Sequence, residues 1–156
     1  MSLNREKLLA QFRELVVERL AKVNRYLMTL EAGADHEAGK ATLRELHGLK
    51  GEARMMGFAE VNGLVHLMEE LVRTVEPLGY ALGPGTVDAL LVASDAVGVL
   101  AGATAGAPVE LPKLTDWLGH AIAGEQQRVD RKGPVSAPPA DASPLPAAPP
   151  PPRPSA

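Results

Sequence analysis

Apolar residues in the first thirty positions return every three or four: Leu8, Leu9, Phe12, Leu15, Val16, Leu20, Val23, Leu27 and Leu30. An α-helix turns once in 3.6 residues, so this spacing puts them on one face. It predicts a first helix over about 3–31, ended by Ala32-Gly33-Ala34. Asp35 is of the type that caps a helix start, and a second helix is expected from there to about Met56, stopped by Gly57. A third is expected over about 59–76, ending before Pro77, with Val61, Leu64, Val65, Met68, Leu71, Val72 and Val75 as its apolar face. The stretch LGYALGPG reads as a loop. A fourth helix follows over about 84–103, and a short fifth over about 111–128, starting near Pro112. Nothing alternates with period two, and Ile, Thr and aromatic residues are sparse, so strands are not expected. Four long helices on short connections make an all-α fold, an antiparallel four-helix bundle with a short fifth helix.

The pattern fails near Gly133. The remainder reads GPVSAPPADASPLPAAPPPPRPSA. Proline donates no backbone hydrogen bond and small side chains bury little area, so this stretch should be a disordered, polyproline-like linker. The expected organisation is a helical bundle over 1–130 and a linker over 131–156 that leads to further domains, with an unstructured tail as the alternative. Aromatic residues make up only 3% of the chain, so the core must be aliphatic. The net charge of -3 speaks against a nucleic-acid partner, which calls for a basic patch. With no cysteine there are no disulfides, thiolate metal sites or cysteine nucleophiles. No apolar run is long enough for a membrane span or a signal peptide, so no membrane insertion is expected and the expected location is the cytoplasm.

Candidate chemistry is concentrated in LRELHGLKGEARMMGF, residues 43–58. Leu46, Leu49, Ala53 and Met56 form the core-facing stripe of the second helix. His47, Lys50, Gly51 and Arg54 form the stripe beside it. His47 should therefore stand at the core edge and point outward, with Lys50 one turn along on the same side. Gly48 and Gly51 each cost roughly 1 kcal/mol against alanine inside a helix. Either a neighbouring helix packs closely there, or the missing side chains let another protein approach the histidine. On the third helix Asn62, His66, Glu69 and Arg73 make a polar stripe. If the two helices pack antiparallel, Glu69 can accept a hydrogen bond from Nδ1–H of His47, which leaves the Nε2 lone pair as a nucleophile. Lys50 would offset the charge of an incoming phosphoryl group. The plainer alternative for His66 and Glu69 is a solvated helix face.

His47-x-x-Lys50-Gly51 resembles the motif of histidine phosphotransfer (HPt) domains of two-component signalling. Gly57-Phe58 and the later His66-Leu67-Met68-Glu69, at a similar separation, are closer still to the N-terminal P1 domain of chemotaxis kinases of the CheA type. The resemblance covers about residues 3–106. It implies that His47 is phosphorylated on Nε2 and that Glu69 orients its ring. It also implies that Lys50 and His66 belong to the hydrogen-bonding network, and that Gly51 keeps the docking surface open; Gly48 and Arg54 are expected on the same partner docking surface. The phosphoryl group would come from a separate ATP-binding kinase domain and go to an aspartate of a response-regulator receiver domain. No ATP-binding motif is present, so this chain is expected to be a carrier that binds no cofactor and has no catalytic activity alone, as part of a protein-histidine kinase. A monomer is expected. Glu52 and Arg54 depart from the family pattern, which has small residues there, and this bears on partner identity.

Three rival readings are a stand-alone relay protein with the same His47 chemistry, a metal-binding bundle, and a non-catalytic interaction bundle. The metal bundle calls for Glu-x-x-His pairs, and the chain has none. An interaction bundle would leave His47 without a role.

Overall fold

A computed structural model describes residues 2–132. Five α-helices follow one another: α1 (Ser2–Ala32), α2 (His36–Met56), α3 (Ala59–Thr74), α4 (Pro84–Leu100) and α5 (Leu111–Lys132). α1 packs against α2 and α4, and α3 packs against the same two, so the four close into a ring with α1 and α3 on one diagonal. α5 lies outside the ring against α3 and α4. Neighbours run antiparallel: Phe12 near the start of α1 meets Phe58 after the end of α2, with ring centroids 5.0 Å apart. The core is aliphatic, as composition requires, with Val16, Val23, Leu27, Leu46, Leu49, Val65, Met68, Leu71 and Leu90 fully buried. No helix among the described residues is long and apolar enough to cross a membrane.

The ends of α2 are set by local chemistry. Asp35 accepts a hydrogen bond from the Ala38 N–H at 3.0 Å. At the other end Gly57 takes a left-handed φ of 81°, which lets Phe58 N–H reach the Ala53 carbonyl at 2.8 Å. The tight turn sends α3 back along α2 at once, which brings the polar stripes of the two helices together.

Three expectations about helix ends need correction. α3 stops at Thr74, and a 3₁₀ turn over Glu76–Leu78 follows, because Pro77 lacks the N–H that would continue the α-helix. α4 stops at Leu100, where Gly102 takes a φ of 71° and the Gly98 carbonyl accepts from both Ala103 and Thr104. α5 is not short: its 22 residues exceed α2, α3 and α4, and it runs two residues past the expected domain boundary. Its second half is polar in sequence, yet Glu125 is only 4% exposed and continues the buried face begun by Leu114 and Leu118. The expected loop also holds more structure than its letters suggest. Tyr80 has a φ of 67°, unusual for a residue with a side chain, and its buried ring lies against Gly39 and edge-on to His36. The expected linker, apart from Arg131 and Lys132 in α5, lies outside the described residues.

Candidate functional site

The site lies where the middle of α2 faces the middle of α3. His47 stands on the outer side of α2 with its side chain 72% exposed, while Glu69 on α3 is completely buried beneath it. Nδ1 of His47 lies 3.5 Å from Glu69 Oε2. That is long for a hydrogen bond, and contacts of this kind often tighten only when the reacting group arrives. With a carboxylate on that side, the favoured neutral tautomer carries its proton on Nδ1, and Nε2 is the nitrogen turned away from Glu69.

A buried carboxylate needs compensating charge. Lys50 places its ammonium 2.6 Å from Glu69 Oε1, close enough for an ion pair but off the line of a well-directed hydrogen bond. Arg73, one turn along α3, places Nη2 3.3 Å from Oε2. Asn62 donates from its amide to the Lys50 carbonyl at 3.1 Å and so ties α3 to α2 beside the site. Lys50 is therefore on the side of His47 expected of it, but its charge is directed at Glu69. His66, one turn before Glu69, is exposed and makes no hydrogen bond with the other described residues.

The two glycines of α2 have different surroundings. A Cβ on Gly51 would meet nothing within 4 Å, so the surface one turn from His47 is open. A Cβ on Gly48 would lie 2.5 Å from Cζ of Arg19. The guanidinium of Arg19 crosses over Gly48 from α1 and is bonded to Glu45 at 2.9 Å and to Glu52 at 2.8 Å. The bond to Glu52, opposed by partial burial, holds the Arg19 guanidinium above its usual range. Close packing within the bundle thus describes Gly48, and an open surface describes Gly51. Glu52 joins the α1–α2 contact. Arg54 is exposed near the end of α2, and Met55 beside it is 86% exposed.

Some of these residues carried no expectation. Arg73 was visible as part of the α3 stripe, but not as a partner of Glu69, although its spacing of four residues allows the contact. Nothing in the letters connects Arg19 to Gly48, since the contact is made only when α1 and α2 pack. Among the described residues no three His, Asp or Glu side chains come together to hold a metal ion.

An exposed histidine thus stands over a buried, charge-compensated glutamate, on the second helix of an antiparallel bundle. The chain belongs to the Hpt domain family, which its sequence matches over residues 7–96. It is a phosphotransfer domain of the two-component class, related to the P1 domains of CheA kinases. Over 76% of its length it is similar to the phosphorylated P1 domain of CheA3 from R. sphaeroides, solved in complex with CheY6. The TM-score is 0.63, the identity is 26%, and 97% of that P1 chain is covered. The chain is also 33% identical over 130 residues to the gliding motility regulatory protein of Myxococcus xanthus. That match takes in 77% of this chain and spans only 17% of the relative's length.

Proposed function

We propose that His47 is the phosphoacceptor. In loading, Nε2 attacks the γ-phosphorus of ATP held by a kinase domain, and the bond from phosphorus to the bridging oxygen breaks. In discharge, the Nε2–P bond breaks as a carboxylate oxygen of a receiver aspartate bonds to phosphorus. The Nδ1 proton stays on the ring throughout, so a fixed acceptor there suits both steps. The observation that carries this reading is the approach of Nδ1 of a 72% exposed His47 to Oε2 of a fully buried Glu69. Glu69 sets the tautomer and orientation. Lys50 holds Glu69 in place and, being about one-quarter exposed, can swing toward the phosphoryl oxygens. His66 joins that network once a phosphoryl group is present. Gly51 and Arg54 lie on the face the receiver approaches, and Gly48 contributes by leaving room for Arg19 of α1 to cross over it.

The wider reading is a P1-like carrier within a longer kinase of chemotaxis or motility signalling. The match to a small part of a motility regulator supports it, as does the likeness to a P1 domain crystallised with a receiver. In this reading residues 133–156 link the domain to those that follow, no cofactor is bound here, ATP is bound by the kinase domain, and the chain works as a cytoplasmic monomer. The test is transfer from radiolabelled ATP with a CheA-type kinase core, then addition of a receiver. The reading expects label on the chain, none on His47→Gln, and discharge by the receiver. Absence of label from several kinase cores and from phosphorylated receivers would leave an interaction bundle instead.

A further inference from the structure

Two side chains share one oxygen of Glu69. Lys50 occupies Oε1 at 2.6 Å. Oε2 faces both Nδ1 of His47 at 3.5 Å and Nη2 of Arg73 at 3.3 Å. Charge-assisted N–H···O bonds are ordinarily about 2.7–2.9 Å, so both contacts on Oε2 are slack. A carboxylate oxygen has lone pairs for two donors, but the negative charge each one feels is then divided. Arg73 is 52% exposed, so it reaches into the site from solvent and is not part of the packed core.

We propose that Arg73 is a positioning residue that competes with His47 for Oε2 of Glu69, and thereby sets how strongly the Nδ1 proton is drawn. The inference rests on the reading of His47 as the phosphoryl carrier. A strong Nδ1–H···Oε2 bond pushes electron density toward Nε2. That makes Nε2 a better nucleophile in loading and a poorer leaving group in discharge. By weakening the bond, Arg73 favours discharge over loading. No proton moves in either step, so the balance depends on this one hydrogen bond. Other charges near the ring do not act in the same way. Before phosphorylation Lys50 is paired with the other oxygen, and His66 one turn before Glu69 makes no bond to it. Arg19 from α1 passes over Gly48 with its charge bonded to Glu45 and Glu52.

The experiment is an NMR titration of the His47 ring in the full chain, with isotope-labelled histidine. It compares wild type, Arg73→Met and Arg73→Lys, each with Glu69 intact and with Glu69→Gln. Methionine keeps the unbranched stem and helix propensity of arginine but has no donor. Arg73→Met should increase the share of the Nδ1–H tautomer, read from the ring nitrogen shifts. Arg73→Lys should return it toward wild type. With Glu69→Gln this tautomer change should be largely lost, because it runs through the carboxylate. The same variant should load about threefold faster and discharge correspondingly slower. No shift in the ring, an equal shift in the Glu69→Gln background, or unchanged rates would overturn the proposal. The titration needs no kinase. A chain that no kinase labels would defeat the reading of function while the coupling still registered, and a labelled chain without the coupling would defeat only the role of Arg73.

Discussion

Replacing each glycine beside His47 with alanine separates the two environments. In the interior of a helix, alanine is favoured over glycine by about 0.8–1 kcal/mol. At Gly51 a Cβ meets nothing within 4 Å, so Gly51→Ala should realise the whole gain. For a domain of this size that is a rise in Tm of about 3–5 °C. At Gly48 the same Cβ would lie 2.5 Å from Cζ of Arg19, and the guanidinium must move. It is the end of a flexible side chain, but its bonds to Glu45 and Glu52 hold it there. Those partly exposed pairs are worth roughly 0.2–1 kcal/mol each, enough to cancel the propensity gain. Gly48→Ala should therefore leave stability near wild type, about 1 kcal/mol below Gly51→Ala. Urea unfolding followed by circular dichroism reads the difference. In an Arg19→Ala background the two alanines should become equally stabilising. Equal stabilisation with Arg19 present would refute the packing of its guanidinium on Gly48. If Gly51 lies on the docking face, Gly51→Ala should also be discharged more slowly by a receiver despite being the more stable protein.

Glu69→Ala should slow loading of His47 without abolishing it, because tautomer control changes a rate and leaves the nucleophile in place; a labelling time course with an unchanged rate would remove Glu69 from the mechanism. Glu125 should make the fold acid-sensitive. Its carboxylate accepts from the Gly83 N–H at the start of α4 at 3.1 Å and from Arg128 Nε at 2.6 Å. Burial pushes it up, but the bonds from Arg128, Thr86 and Gly83 together outweigh burial and hold it below the usual carboxylate range. With the folded value depressed, its contribution is fully present above the usual carboxylate value and is lost as pH falls through the folded value. Glu125→Gln should cost about 1–3 kcal/mol at neutral pH and flatten the fall in Tm below about pH 4.5; thermal melts from pH 7 to pH 3 that superimpose in shape would contradict this.

What was legible in the sequence was what depends on periodicity. The stripes on α2 and α3 already paired His47 with Glu69, because two antiparallel helices joined by a tight turn at Gly57 have little freedom of register. What escaped were contacts between distant segments. The guanidinium of Arg19 over Gly48 joins residues far apart in the chain, and no local pattern announces it. The burial of Glu125 is of the same kind: a glutamate among polar residues reads as solvated until α4 presents the Gly83 N–H to it. Tyr80 shows a third limit. A left-handed φ at an aromatic residue runs against local preference, and it is explained only by the shelf that Gly39 leaves for the ring. Lys50 lay on the expected face, but only the packed structure shows its ammonium directed at Glu69.

In the proposed mechanism the phosphoryl group is carried on Nε2 of His47. Heteronuclear ³¹P and ¹⁵N NMR of the freshly phosphorylated chain identifies both the residue and the nitrogen. One phosphohistidine is expected, at His47, with phosphorus coupled to Nε2 and the proton retained on Nδ1. Phosphorus on Nδ1, or on His36, His66 or His120 with His47 unmodified, would contradict it.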